Sequence, residues 1–541
     1  MNIALAQLNY IIADIEGNTN KIISSIHSAK SEGADLVVFS ELAISGYPPD
    51  DLLDYPHFID QCRLAIDKIA SHCNGITAIV GSPMENPEET GRRLYNTACI
   101  LSDGQLSGVV YKTLLPTYDV FNESRYFEVN DIFNTVTIKG KRVAITICED
   151  LWHEMDRFDY QDNPLALIAR DEPEIIINLS ASPYNQGKMA ERMEVLQKQS
   201  RAFQLPLVYV NQVGVHTDLI FDGSSVVLNH AGQAIIQLSS FKEDFVIYDT
   251  DNSYAPLPIK STSNIAQIYE ALVFGIRDYF GKMGFKKAVL GSSGGIDSAV
   301  VQALLSDAIG SENVLAILMP SQYSSEGSVQ DARQLSELLG NPYEIIPIAD
   351  VFKTFEQGLS NLFAGMSFGL AEENIQARSR AVYLMAISNK LGNILVNTSN
   401  KSEMSVGYST LYGDMCGSLS VLGDVFKTEV YQLAAYINRE GERIPETIIH
   451  KAPSAELRPD QKDSDSLPEY PILDAILRSY VEDQRDPELI IASGQDRVVV
   501  EKVIKLVNNS EYKRFQAPPI LRISKKAFGR GRVMPLVSKW R

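Results

Sequence analysis

The sequence predicts an α/β protein of two domains, and three observations carry that prediction. Short β-branched runs alternate with helical-period segments over the first 250 residues. A Pro- and Ser-rich connector breaks the pattern at 251–263. Beyond it, a strand passes through a glycine turn directly into a helix.

The strands expected in the first half are Asn2–Leu8, Asp35–Ser40, Ile76–Gly81, Thr97–Leu101, Val109–Lys112, Val143–Cys148, Glu174–Leu179 and Leu207–Gln212. Several are apolar throughout, which suits strands covered on both faces. Ser102-Asp103-Gly104 is a hairpin signal, so this sheet is not purely parallel. Gly187–Phe203 has the period of an amphipathic helix. In the second half, a helix over Ile265–Tyr279 precedes a strand over Lys287–Leu290, the turn Gly291–Gly295 and a helix to about Leu305. Strand Val314–Met319, a helix over 327–339 and strand Ile394–Asn397 continue the alternation, which predicts a Rossmann-like, doubly wound parallel sheet. The expected domains are 1–250 and 264–541, joined by 251–263. Residues 404–424 and 454–470 lack periodicity and read as surface loops or, at this length, as lids or binding loops.

Composition narrows the function. In 541 residues, 49 Lys+Arg stand against 68 Asp+Glu, a net charge of −19, which argues against a nucleic-acid-coating protein. An apolar fraction of 45% with 22% charged residues excludes a mostly disordered chain. No uncharged apolar run reaches the roughly 18 residues of a membrane helix, and the N-terminus reads as a strand rather than a signal peptide. The five cysteines are odd in number and form no CxxC pair, so a reducing cytoplasm is expected.

Three reactive side chains follow predicted strands: Glu41, Lys112 and Cys148. If those strands are neighbours, the three groups meet at one rim of the sheet. An ammonium beside a thiol makes a better nucleophile, and a carboxylate can take its proton and later activate water. The ammonium and a backbone N–H can hold the oxyanion. His153, five residues past Cys148, leaves a Cys–His reading open, and a lone strand-end cysteine is more often a small buried hydrophobe.

The surrounding blocks decide between these. Phe39-Ser40-Glu41-Leu42-Ala43-Ile44-Ser45-Gly46-Tyr47-Pro48-Pro49-Asp50-Asp51-Leu52-Leu53, Tyr111-Lys112-Thr113-Leu114-Leu115-Pro116 and Ile147-Cys148-Glu149-Asp150-Leu151-Trp152 resemble the catalytic blocks of the nitrilase (carbon–nitrogen hydrolase) superfamily. The resemblance implies a nitrilase-like αββα sandwich and amide hydrolysis through a thioester. Glu41 would be the base, Lys112 the oxyanion-side cation, Cys148 the nucleophile and Glu123 a supporting carboxylate. His153 becomes a bystander. It further implies a glutaminase in which Tyr118, Ser182 and Lys188 hold glutamine.

The second half carries Gly291-Ser292-Ser293-Gly294-Gly295-Ile296-Asp297-Ser298 between a strand and a helix. Adjacent glycines turn backbone N–H groups inward and a helix N-terminus favours an anion, although a bare strand–helix turn would look the same. No Gly-Lys-Ser/Thr follows, so this is not a Walker motif. Ser293–Ser298 resembles the pyrophosphate loop of N-type ATP pyrophosphatases. With Glu373–Arg380, Asn397–Glu403, Phe426–Tyr431 and Lys451–Leu457, it is similar to the NAD synthetase domain. Both halves together resemble the glutamine-dependent NAD synthetases. The resemblance implies that Gly291, Ser292, Ser293, Gly294, Gly295, Ile296, Asp297 and Ser298, with Thr398, Lys427 and Ser454, hold ATP. Asp297 and Glu403 would bind Mg²⁺. Asn374, Arg378, Glu403 and Lys513 would face deamido-NAD, and the chain would form a homo-oligomer. Another glutamine-dependent ATP-pyrophosphatase amidotransferase, with a different acceptor, is the alternative. Independently, nine Lys/Arg and no acid from Lys513 to Arg541 read either as a basic lining for a dianionic dinucleotide or as a solvated tail.

Overall fold

The structure is a computed structural model and describes residues 1–153, 160, 163–258, 263–459 and 461–539. It divides into two compact units, Met1–Ser261 and Thr262–Arg541. The 259–262 part of the expected connector lies outside the described residues.

The first unit contains β1 (Asn2–Gln7), β2 (Leu36–Val38), β3 (Thr77–Glu85), β4 (Leu94–Ser102), β5 (Gln105–Tyr111), β6 (Val136–Ile138), β7 (Lys141–Ile147), β8 (Ile175–Ser180), β9 (Leu207–Asn211), β10 (Val213–His216), β11 (Leu219–Asp222), β12 (Val226–Leu228), β13 (Ala234–Gln237) and β14 (Asp244–Asp249). They make two six-stranded sheets, ordered β14-β1-β2-β3-β4-β5 and β13-β12-β9-β8-β7-β6, plus a β10-β11 ribbon. Both large sheets are mixed: β1, β2 and β3 pair in parallel, as do β7, β8 and β9, with antiparallel strands outside them. Asp103 and Gly104, both at positive φ, turn the β4–β5 hairpin.

Alternation along each strand explains the layers. Ile3, Leu5, Leu36, Val38 and Ile79 meet Val143, Ile145, Ile177, Leu179 and Val208 between the sheets. The intervening residues Ala4, Ala6, Val37 and Ala78 pack on helices Ile15–Ser31 and Pro56–Ala70. Ala144, Ile176 and Tyr209 pack on the other side against Val195 and Leu196 of helix Lys188–Phe203. The result is αββα, and it is why these strands read as apolar on both faces.

The second unit has β15 (Ala288–Gly291), β16 (Val314–Leu318), β17 (Tyr343–Ile345), β18 (Ile394–Asn397) and β19 (Leu419–Ser420) in the order β17-β16-β15-β18-β19, all parallel. Strand order reverses between β15 and β18, where open α/β sheets leave a crevice at their carboxyl ends. Two expectations are corrected here. The 404–424 stretch is not a surface loop: it begins inside helix Lys401–Val406, contributes β19, and buries Leu419, Val421 and Leu422 completely. Much of the basic tail is not solvated. Arg514 donates to the Met404, Ser405 and Val507 carbonyls, and Arg522 to those of Ser524 and Lys525.

Candidate active sites

Glu41, Lys112 and Cys148 converge, but not along one rim. Glu41 follows β2 and Lys112 follows β5 of one sheet, whereas Cys148 follows β7 of the other. The site is built across the ends of two facing sheets, a relation that strand patterns do not reveal. Cys148 sits at the end of the inter-sheet core and adopts φ 43°, and Leu42, beside Glu41, adopts φ 46°. Such left-handed turns cost a side-chain-bearing residue energy, and they aim the flanking groups inward. Gly81 lets the Glu41 turn approach β3: a Cβ there would lie 2.4 Å from the Ser40 carbonyl oxygen.

The Lys112 ammonium is fully buried and donates to Glu41 Oε1 at 2.7 Å and to Glu123 Oε1 at 2.8 Å. Asn96 Nδ2 donates to Glu41 Oε1 at 2.7 Å, the Ala181 N–H to Glu41 Oε2 at 3.0 Å, and the Tyr47 hydroxyl to Glu123 at 2.8 Å. Burial works against the charged Lys112, but Glu123 and Glu41 carry its pKa well above the ordinary value. Burial pushes Glu123 up to about 7, with Lys112 pulling the other way. The Cys148 thiol is raised by burial and by Glu41, and lowered by Lys112. His153 is not among the charges acting most strongly on it. Burial and the Glu41 carboxylate thus favour the thiol over the thiolate, and Lys112 opposes them.

Around this core, the Tyr118 hydroxyl donates to Glu149 at 2.9 Å, and so does that of Tyr160 at 3.2 Å. Lys188 lies 3.8 Å over the Trp152 ring, and burial lowers its pKa. The Ser182 N–H donates to Asn211 Oδ1, and its hydroxyl and carbonyl accept from Arg192, itself paired with Asp222. Sequence reasoning missed Asn96 and Arg192. It quoted Tyr47, Glu149 and Asp150 without giving them roles, although acids adjoining the candidate thiol were a visible signal.

In the second unit, a cavity of about 300 Å³ opens at the β15/β18 reversal. Gly291, Ser292, Ser293, Gly295, Ile296, Asp297 and Ser298 line it with Thr398, Glu403, Lys427 and Ser454. Gly294 holds the loop without lining the cavity: its φ is 77°, and a Cβ would fall 2.2 Å from the Ser328 carbonyl oxygen. Ser293 and Ser298 hydroxyls lie 3.2 Å apart at the N-terminus of the helix Ile296–Ile309. Lys427 Nζ pairs with Asp297 and, at 3.3 Å, with Glu403, while Asn400 donates to Asp297 at 2.9 Å. Burial pushes Glu403 up to about 8, with Lys427 opposing. Two carboxylates converging on one cation suit a hard ion such as Mg²⁺, which completes its shell with water and phosphate oxygens.

Asn374, Arg378 and Lys513 do not line this cavity. They gather on 407–411: Asn374 accepts from the Thr410 hydroxyl at 2.8 Å, Arg378 donates to the Leu411 carbonyl, and Lys513 to those of Gly407 and Ser409. Among the described residues, no basic side chain of the C-terminal tail lines the cavity either.

The family description Carbon-nitrogen hydrolase matches residues 2–258, and NAD synthase matches residues 268–517. The chain is 45% identical over 550 residues to a glutamine-dependent NAD(+) synthetase of Synechocystis sp., covering 99% of this chain and 98% of the relative. The Acinetobacter baylyi glutamine-dependent NAD(+) synthetase is 42% identical over 545 residues, covering 100% and 98%. Among solved structures, the Acinetobacter baumannii glutamine-dependent NAD+ synthetase in complex with ADP is similar at 40% identity and TM-score 0.78, covering 100% of this chain and 99% of that one. The Cytophaga hutchinsonii glutamine-dependent NAD(+) synthetase shares the fold at TM-score 0.85 and 21% identity, covering 100% and 98%.

Proposed function

Because the chain belongs to the glutamine-dependent NAD(+) synthetases, we propose that its two sites run one relay, in which nitrogen freed from glutamine becomes the carboxamide of NAD. The observation that carries this reading is the coexistence, in one chain, of a buried Glu41–Lys112–Cys148 cluster and a phosphate-type loop lining a cavity at a sheet reversal.

In the first site, Cys148 Sγ attacks the side-chain carbonyl carbon of glutamine. Glu41 takes the thiol proton and passes it to the departing ammonia. The Lys112 ammonium faces the developing oxyanion, and Glu41, oriented by Asn96 and the Ala181 N–H, next deprotonates the water that clears the glutamyl thioester. Tyr118, Ser182 and Lys188 hold the substrate. In the second site, the serine and backbone N–H groups of 291–298 hold ATP phosphates at a helix N-terminus, with Thr398, Lys427 and Ser454 contributing. The nicotinate carboxylate of deamido-NAD attacks the α-phosphorus and pyrophosphate leaves. Ammonia then displaces AMP from the acyl adenylate, giving NAD. Asp297 and Glu403 would hold Mg²⁺, which offsets charge on the phosphates when bound. The 407–411 stretch, braced by Asn374, Arg378 and Lys513, would border the nicotinate end. The unpaired cysteines favour a reducing compartment, the cytoplasm.

The test is isotopic. Amide-¹⁵N glutamine supplied with ATP and deamido-NAD is expected to place label in the NAD carboxamide. Unlabelled NAD formed at the same rate would defeat the relay.

A further inference from the structure

The amide-hydrolysing site needs its ammonium and its thiol held at a fixed separation, yet they stand on strands of different sheets. Hydrogen bonds from the Lys112 N–H to the Asn96 carbonyl (2.9 Å) and from the Asn130 N–H to the Lys112 carbonyl (3.2 Å) fix Lys112 within its own sheet and loop. Neither reaches the nucleophile's strand.

Asp150 does. It lies in the single 3-10 turn Cys148–Leu151 and is 2% exposed. Its Oδ2 accepts the Ile147 N–H at 2.9 Å, immediately before Cys148. Its Oδ1 accepts the N–H groups of Thr113 at 3.0 Å and Leu114 at 2.8 Å, immediately after Lys112. The bond to Ile147 alone would serve as an ordinary turn cap. The two bonds to 113–114 add nothing to that turn and everything to the registration of the two catalytic segments. Burial raises this carboxyl to about 6, and the three N–H bonds oppose the rise.

We propose that Asp150 is a positioning residue: its carboxylate clamps the backbone following Lys112 to the backbone preceding Cys148 and so sets the distance from ammonium to thiol across the two sheets. This rests on the reading of Glu41, Lys112 and Cys148 as the amide-hydrolysing group. Asparagine is nearly isosteric, but it offers one acceptor atom and turns an NH₂ toward an N–H donor on the other side. Either rotamer breaks one end of the clamp.

The experiment compares wild type, Asp150→Asn and Cys148→Ala in the full chain, with a wild-type-like thermal unfolding profile as the check that the first unit folds and ammonium-driven NAD synthesis as the check on the second. Asp150→Asn is expected to lower kcat on glutamine by about 10²-fold, the cost of an ångström-scale misplacement, with KM for glutamine within about threefold of wild type. The pH profile of Cys148 alkylation by iodoacetamide should also move, because the thiol no longer has its ammonium in register; a purely structural role would leave that profile in place. If Asp150→Asn does not accumulate as folded protein, Asp150→Glu, which keeps both acceptors and displaces them by one methylene, is measured in the same way. A folded Asp150 variant with kcat within about twofold of wild type, or with an unchanged alkylation profile, overturns the clamp. Retention of glutamine turnover by Cys148→Ala would instead overturn the underlying assignment of the site.

Discussion

Lys112 shows how a single side chain sets the behaviour of its surroundings. It serves Glu41 and Glu123 together, so one carboxylate more than its charge can neutralise is buried with it. Burial, with the Glu41 charge adding to it, raises Glu123 from about 4.5 to about 7 against the pull of Lys112. The folded state therefore holds a proton here that the unfolded chain has released. The associated stability is complete below the unfolded value, is lost as pH climbs toward 7, and then levels off. Glu123→Gln removes that dependence. Denaturant titrations should show the wild type losing ground to the variant between about pH 4.5 and 7, by on the order of 3 kcal/mol or less. The Arg192–Asp222 pair is the opposite case, balanced and 3%/1% exposed at 2.9 Å. Asp222→Ala strands a buried guanidinium, and urea unfolding should register a loss of about 3–5 kcal/mol. Ser182, which accepts from that guanidinium, should be displaced with it, raising KM for glutamine.

At the level of elements, the phosphate-type loop depends on Gly294. Alanine there meets both an unfavourable φ and the Ser328 carbonyl, so the loop must move away from the helix that begins at Glu326. Gly294→Ala should raise KM for ATP by about tenfold or more in steady-state assays, while hydrolysis of glutamine continues. The strands, the Asp-Gly hairpin and the strand–turn–helix were legible because their signals are local: alternation, a turn dipeptide, adjacent glycines. For the 404–424 stretch the surface-loop reading fails, because its burial comes from packing under residues a hundred positions away, such as Ile520 and Ser524, whereas the binding-loop reading agrees with Tyr408, Gly413, Asp414 and Cys416 lining the cavity. The separate sheets of Lys112 and Cys148 were invisible for the same reason. Periodicity predicts that strands exist and says nothing about which sheet takes them. Asp150 was hidden because its partners are backbone N–H groups, which carry no sequence letter.

For the whole molecule, the two units predict separable chemistry. Cys148→Ala should abolish NAD formation from glutamine and spare formation from ammonium, whereas Asp297→Ala should abolish both. The check is AMP release measured against each nitrogen source. Loss of both in Cys148→Ala would mean that the units do not act as modules. Among the described residues, no helix is long and apolar enough to cross a membrane.

The distribution of thiols has a practical side. Cys62, Cys73 and Cys99 are sealed at 0% exposure in the helix-facing core, while Cys148 shares the buried cluster of Glu41 and Lys112 and Cys416 lines the cavity of the second unit. The unmodified polypeptide thus carries one addressable sulfur per chamber. A bulky label on either sulfur would report on its chamber at rest and stop the proposed chemistry there, at Cys148 by consuming the thiol and at Cys416 by filling the cavity.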